Sequence, residues 1–317
     1  MPGTTPPAAS PRPTPQVRAV IFDFYGTIAR LADGALSARQ PIFERHGYRL
    51  DPQIEARYEA RHDGVEHSEH STDKVVYDAW VCFRHGELAR ECGVAEPHVE
   101  ALVDALRALD TAPVVAYRDA RPTLVELRRR GFLIAVCSNW GWELDRSLSE
   151  AGLLDLVDAA VTSARAGARK PHPRIFTTTT DAIGVGPEEV LFVGDSVRPD
   201  IEGPIGIGMH AVHIWRRGAS SEPPPLPTGV VRVTSLGELL DLPQLRGDAN
   251  AQVGSREALG PALTHRDGTR GHGPKPRPGG PMTQIEDIAV DTETDDEELD
   301  DEVLVEEISI DGMCGVY

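Results

Sequence analysis

The sequence predicts an α/β fold: a doubly wound, Rossmann-like parallel sheet with a small helical domain inserted into it. Three observations carry this. Between residues 17 and 243, short apolar runs alternate with helical stretches. Each run is apolar throughout rather than at every second position, as strands covered on both faces are. Several runs end on small or polar residues, and parallel sheets form their sites at the carboxyl ends of strands.

The elements follow in order. Val17–Phe24 is β-branched and aromatic and is followed by Gly26, so it reads as a buried strand running into a turn. Amphipathic stretches at Ala35–His46, Asp51–His62 and Thr72–Cys92 read as helices, the last with Gly93 as its cap. Arg121–Arg130 reads as a helix stopped by Gly131. Phe132–Cys137 is a second buried strand, ending in Ser138 and Asn139, and Leu144–Ala151 a helix. Strands are expected at Ala159–Thr162, Val190–Val193, Ala211–Ile214 and Val230–Val233, with a helix at Pro173–Ile183. The expected organisation is a Pro-rich disordered arm over 1–16, a core formed by 17–32 and 113–245, and a helical insert over 33–112. A Gly/Pro-rich disordered linker over 246–281 and a separate acidic tail over 282–317 complete it.

The formal charge of −18 conceals two unlike parts. The tail holds 14 of the 50 acidic residues and none of the 32 Lys and Arg, which leaves 36 acids against 32 bases in residues 1–281. No clustered basic face points to nucleic acid. No run approaches the roughly 20 apolar residues of a membrane span. Residues 1–16 have no apolar stretch of the signal-peptide kind. The four cysteines form no C-x-x-C pair and no framework, which fits a reducing compartment, so a cytoplasmic protein is expected.

Four polar elements lie at or after the predicted strands: Asp23, Ser138, Lys170, and the pair Asp195 and Asp200. Alone, an Asp after a strand is usually a helix cap or a turn residue, and a Lys before Pro a surface residue. In this order, at the ends of successive strands, they form a constellation. It resembles the haloacid dehalogenase superfamily of hydrolases, with motif one at Asp23–Thr27, motif two at Ser138, motif three at Lys170 and motif four at Gly194–Asp200. The insert over 33–112 falls where that family carries its helical cap.

The resemblance implies roles. Asp23 would be a carboxylate nucleophile that forms a covalent intermediate hydrolysed by water. Mg2+ would be held by Asp23, Asp195 and the Tyr25 main-chain carbonyl, hard oxygen donors suited to it, and would offset charge repulsion at a phosphoryl group. Lys170 would compensate negative charge, and Asp200 would orient Lys170 or a metal-bound water. Ser138, Asn139 and Thr27 would contact the transferring group. Family phosphatases carry a second Asp two residues after the nucleophile as general acid, whereas this chain has Tyr25 there, as the metal-free dehalogenase branch does. The fourth motif is of the metal-binding phosphatase type, and Phe176 stands where such dehalogenases carry Tyr. The favoured reading is a Mg2+-dependent phosphomonoester hydrolase acting on a small phosphorylated metabolite, with Tyr25 as a poorly matched acid. A 2-haloacid dehalogenase acting on a halogenated metabolite, and an inactive carrier, are the alternatives.

Three further features have plainer readings. His62, His67 and His70, with Asp63, Glu66 and Glu69, have spacing that could hold a transition metal but read more simply as a solvated loop. Trp140 and Trp142 either line the pocket or cover the junction between core and insert. Cys137 reads as core.

The tail closes on Ile308–Tyr317, which a merely solubilising acidic segment would not need. This ending resembles the mycofactocin precursor peptide, whose terminal Ile-Asp-Gly-Met-Cys-Gly-Val-Tyr it matches residue for residue over 310–317. The resemblance implies a leader recognised by a small binding protein. It also implies a radical S-adenosylmethionine maturase that oxidatively decarboxylates Tyr317 and joins it to Val316, and a peptidase that frees the dipeptide. Gly312 and Gly315 leave the end free to thread into a deep site, and the alternating Val303–Ile310 stretch could add to a partner's sheet edge. Two origins are open for the joined chain: a real fusion, or two neighbouring genes merged, with Met282 an independent start.

Overall fold

A computed structural model of the chain describes residues 16–35, 38–216 and 222–246. The arm up to residue 15, the linker beyond 246, the tail and its Val316 and Tyr317 lie outside the described residues.

The strands are β1 (Ala19–Phe22), β2 (Ala29–Leu31), β3 (Val114–Ala116), β4 (Leu133–Ser138), β5 (Ala159–Thr162), β6 (Val190–Gly194), β7 (His210–Ile214) and β8 (Val231–Val233). Six of them form one parallel sheet in the order β5-β4-β1-β6-β7-β8. All six apolar runs singled out in the sequence are its strands. Alternate residues of each strand feed two different cores. Val20, Phe22, Ile134, Val136, Leu191 and Val193 pack on one face, and Ala19, Ile21, Leu133, Ala135, Val190 and Phe192 on the other. Runs without polar alternation thus reflect a sheet buried on both sides.

The α-helices are α1 (Gln40–Arg45), α2 (Pro52–His62), α3 (Lys74–Glu91), α4 (Glu96–Arg107), α5 (Ala120–Arg129), α6 (Leu144–Glu150), α7 (Ser163–Ala166), α8 (Pro173–Ile183) and α9 (Gly203–Gly206). Leu124 and Leu127 of α5 and Leu144 and Leu148 of α6 cover the first face. Ile175, Phe176 and Ile183 of α8 cover the second. Helices α1 to α4 have a core of their own, built from Phe43, Leu50, Tyr58, Leu88, Leu102 and Leu106 among others.

Three features differ from the sequence reading. Helix α1 is shorter than the expected Ala35–His46 and starts at Gln40, with Pro41 in its first turn, where a missing N–H costs nothing. Helix α4 was not singled out, although Val99, Leu102, Val103 and Leu106 recur at helical spacing and are all buried. The reading also lacked β2 and β3, which pair antiparallel through Ala29↔Ala116 and Leu31↔Val114. The Ala32 N–H donates to the Pro113 carbonyl at 2.9 Å. The helical insert therefore leaves and re-enters the core through two strands tied side by side.

Candidate active site

The strand order reverses direction at β1: β4 and β5 extend to one side of it, β6 to β8 to the other. A crevice forms at the carboxyl edge of such a switch point. Register fixes what stands there. Phe22 lies level with Val136 of β4 and Val193 of β6, so the next residues out are Asp23, Cys137 with Ser138, and Gly194 with Asp195. The Asp23 N–H donates to the Val193 carbonyl at 2.9 Å, which anchors its backbone.

Asp23 is only 6% exposed. Its Oδ1 accepts from Ser138 Oγ at 2.9 Å and from Lys170 Nζ at 2.6 Å. Its Oδ2 accepts from Thr27 Oγ1 at 3.4 Å. Lys170 is fully enclosed and spends its three donors on Asp23 Oδ1 (2.6 Å), Asp200 Oδ1 (2.6 Å) and the Cys137 carbonyl (3.1 Å). Burial works to lower the Lys170 pKa, but Asp200 and Asp23 outweigh it and hold the ammonium charged. Asp200 sits on a π-helical turn, Val197–Glu202, and its Oδ2 accepts from the Ser196 N–H at 3.1 Å. A Cβ on Gly194 would fall 2.4 Å from the Asp200 Cβ, so only glycine lets β6 end beneath this side chain.

Asp23, Asp195 and Asp200 bring carboxylate oxygens within 4.8 Å of one another, and among the described residues they are the acidic cluster able to hold a metal ion. One ammonium faces three carboxylates. Burial, then repulsion from Asp200 and Asp23, pushes Asp195 up to about 8. Burial pushes Asp200 up to about 6 against the pull of Lys170. Asp195 nevertheless stays partly reachable from outside, as a metal ligand must. A hard divalent cation suits this oxygen-only donor set and its surplus negative charge, so the residues present fit Mg2+. Gly26 keeps the first motif close to this cluster. Its φ is +80°, and a Cβ there would stand 2.4 Å from Asp195 Oδ2.

Asn139, expected to face the substrate, has its amide turned to the backbone of Lys170. Its Oδ1 accepts from the Lys170 N–H at 2.7 Å and its Nδ2 donates to the Lys170 carbonyl at 3.3 Å. Thr27 is fully buried against Asp23. Tyr25 is half-buried two residues beyond Asp23. Of the two tryptophans, Trp140 belongs to the core, and Trp142 both lines a cavity and covers the junction. Trp140 is buried edge-on to Phe24, with ring centroids 4.9 Å apart. Trp142 reaches Tyr77 of α3 at 5.9 Å and belongs to the junction with the insert. The Cys137 thiol, pushed up to about 12 by burial, is a core group.

The histidine cluster is a packing feature. The His67 and His70 rings stack on Trp80 at 4.6 and 5.0 Å. Burial pushes His67 and His62 down to about 4, so both are neutral. The loop carrying His67 ties the insert to motif three. The His67 N–H donates to the Gly167 carbonyl, and the Arg169 N–H to the Val65 carbonyl, at 2.6 and 3.0 Å. Glu66 and Ala168 form an antiparallel bridge.

Three supporting residues escaped the sequence reading. His213 of β7 bonds the Asp195 carbonyl through Nε2 at 2.9 Å and accepts from Arg232 at its Nδ1. These partners fix the tautomer with the proton on Nε2. Arg216 grips the Thr27 carbonyl at 2.6 and 3.1 Å and Asp119 at 2.9 Å, with its guanidinium 3.9 Å from the Tyr117 ring centroid. Arg169 is buried next to Lys170. A polar residue inside the apolar run Ala211–Ile214 was the one available signal, at His213.

Residues 17–208 match the family model described as haloacid dehalogenase-like hydrolase, and residues 288–317 that of the mycofactocin precursor peptide. The chain is 40% identical over 128 residues to a phosphatase of Mycobacterium tuberculosis (strain CDC 1551 / Oshkosh), covering 39% of this chain and 56% of that protein. It is 35% identical over 108 residues to the (S)-2-haloacid dehalogenase 4A of Burkholderia cepacia, covering 34% and 46%. The matches thus span about half the length of these relatives. A solved structure of a haloacid dehalogenase-type (HAD) phosphatase from Thermococcus onnurineus aligns with 71% of this chain and 97% of its own, at 24% identity and a TM-score of 0.43. The chain belongs to the haloacid dehalogenase-like hydrolases and carries a mycofactocin precursor peptide segment behind the hydrolase domain.

Proposed function

We propose that the hydrolase domain, a core of residues 17–32 and 113–245 with its cap over 33–112, is a Mg2+-assisted phosphomonoester hydrolase with Asp23 as nucleophile. The observation that carries this is one enclosed carboxylate, Asp23, fixed by Ser138 and Lys170 beside the further carboxylates Asp195 and Asp200. An Asp23 oxygen attacks phosphorus, the bond from phosphorus to the leaving oxygen breaks, and an aspartyl phosphate forms. A water oxygen then attacks phosphorus and the bond from phosphorus to the Asp23 oxygen breaks; one water proton stays on the released phosphate, the other passes to solvent or back to the group that protonated the leaving oxygen, and the Asp23 carboxylate is restored. Bound at Asp23, Asp195 and the Tyr25 carbonyl, Mg2+ would supply charge neutralisation between the two anions. Lys170 orients Asp23 and lends positive charge to the transferring group. Ser138 keeps the attacking carboxylate in one rotamer and donates towards the phosphoryl oxygens. Asp200 holds Lys170 in place, and Asn139 fixes that lysine's backbone rather than the substrate.

The leaving alkoxide needs a proton, and Tyr25 stands where a carboxylic acid would serve. Its ordinary pKa near 10 is a poor match to neutral pH, and general acid help is worth about 10²–10⁴ in rate. Good leaving groups are therefore preferred. The same tyrosine favours the second reading, displacement of halide from a 2-haloacid, and the Burkholderia cepacia relative is named for such an activity. Two assays separate the readings. Release of p-nitrophenol from p-nitrophenyl phosphate, dependent on Mg2+ and abolished by chelator, is expected. Chloride release from 2-chloropropionate without metal would overturn it.

For residues 282–317 the proposal is a substrate role. A small leader-binding protein would present the segment to a radical S-adenosylmethionine maturase, which modifies Val316 and Tyr317, and a peptidase would release the pair. Loss of one CO2 and two hydrogens from the Tyr317 end, read by mass after incubation with such a maturase, is the expected outcome. An unchanged mass would contradict it.

A further inference from the structure

A cavity lies between the helical insert and the loops that carry the candidate catalytic residues. Its walls include Trp142 and Glu143, which follow Ser138, and Arg169, which precedes Lys170, together with Tyr58, Arg84 and His85 from the insert. Three of the five cations lining it are paired with carboxylates. Lys74 bonds Asp78 at 2.6 Å and reaches Glu143 at 4.0 Å. Arg107 takes Asp78 at 3.1 Å and Asp110 at 3.2 Å. Arg39 is held by Glu59 at 2.5 Å and Glu55 at 3.2 Å.

Arg84 remains. Its guanidinium lies 5.0 Å from the Tyr58 ring centroid and 4.7 Å from that of Trp80, which hold its plane. Its Nε is buried without a hydrogen-bond partner, and so is Nδ1 of its neighbour His85, a side chain only 6% exposed. Two polar atoms without partners in one cavity are costly unless a ligand satisfies them. Five of the lining residues are Lys or Arg and three are Asp or Glu, so positive charge predominates. Burial first, then Arg39 and Arg84, hold His85 down to about 3. Burial, Arg169 and Arg84 hold His67 down to about 4.

We propose that this cavity receives a second acidic group of the substrate, with Arg84 as its fork and the His85 Nδ1 as an additional polar contact. The inference rests on the phosphomonoesterase reading and narrows it: the substrate is a small phosphomonoester that also bears a carboxylate or a second phosphate. A planar guanidinium held by aromatic faces binds either group through two parallel bonds.

The test is calorimetric binding of phosphonoacetate, methylenediphosphonate and ethylphosphonate, which cannot be hydrolysed, to the full-length protein with Mg2+ present. The wild type should bind a doubly acidic ligand at least tenfold more tightly than ethylphosphonate. Whichever of phosphonoacetate and methylenediphosphonate shows the preference identifies the second group. Arg84→Gln should reduce the preference to within twofold, and Arg84→Lys should keep part of it. Equal binding of all three ligands by the wild type overturns the proposal without recourse to any variant. An undiminished preference in Arg84→Gln does so too. Hydrolysis of p-nitrophenyl phosphate, which has no second acid, is measured alongside on the wild type. A retained binding preference with no such hydrolysis by the wild type would count against the phosphatase reading and leave the acid-binding cavity standing.

Discussion

Lys170 has three hydrogens and gives each to a different oxygen, two of them carboxylate oxygens 2.6 Å away. Removing one partner of a buried ion pair typically costs about 3–5 kcal/mol, because the other charge is left stranded. Lys170→Met strands Asp23 and Asp200 together. A loss of stability of at least about 3 kcal/mol by chemical denaturation is expected, along with loss of hydrolysis. Tyr25 gives a second prediction at this scale. Tyr25→Asp supplies a better-matched acid and should raise turnover of alkyl phosphates by about tenfold or more, with little change for aryl phosphates. Equal effects on both classes would contradict the assignment. Asp23, Ser138 and Asp195 were legible because each ends or directly follows an apolar run, whereas Lys170 and Asp200 stand on a loop and a turn further along and take their place from the resemblance. The partners of Asn139 were not, since an amide after a strand can face either substrate or backbone. His213 of β7 and Arg216 just beyond it lie far along the chain and act through the carbonyls of Asp195 and Thr27. No local pattern encodes such a contact.

Elements impose a different constraint: among the described residues, backbone hydrogen bonds tie the helical insert to the core at two places. One is the ribbon of β2 and β3. The other is the contact of residues 65–68 with residues 167–169, directly before Lys170. Gly167 makes the second possible. Its φ is +71°, and a Cβ would come within 2.6 Å of the Ser68 Cα. Gly167→Val should therefore lower activity at least tenfold while shifting the melting temperature only a few degrees, since the sheet is untouched. A change in stability with no change in activity would show that this contact does not position Lys170. Strands of the main sheet were readable because burial on both faces leaves an unbroken apolar run. The ribbon was not, since three residues per strand are too few to show a period. Helix α4 carries a readable period and was passed over.

At the level of the whole molecule, charge is segregated. The acids of residues 282–317 have no basic counterpart within that segment, while in the hydrolase domain the important surplus is the buried cluster. Asp195 and Asp200 titrate above the ordinary carboxylate value of 3.8, at about 8 and about 6. Groups with a raised folded pKa stabilise the fold fully below their unfolded value. That contribution fades as pH climbs through the folded one. Metal-free protein should therefore lose stability from about pH 4 towards pH 8 relative to an Asp195→Asn variant, and Mg2+ should recover most at the upper end. Thermal melts of both proteins across that range, with and without Mg2+, check this. A wild-type curve parallel to that of the variant would contradict it. The tail was legible as a separate function because its ending is so particular, whereas its structure lies outside the described residues. Among the described residues no helix is long and apolar enough to cross a membrane.

The central claim is that Asp23 becomes covalently phosphorylated. The most direct measurement is a single-turnover reaction with p-nitrophenyl phosphate and Mg2+, quenched in acid and followed by mass analysis of the peptide containing residue 23. One phosphoryl group, about 80 Da, should appear on Asp23. It should be absent when Mg2+ is chelated and absent in Asp23→Asn. A turning-over enzyme that never labels Asp23, or an Asp23→Asn variant that still hydrolyses the ester, would contradict the account.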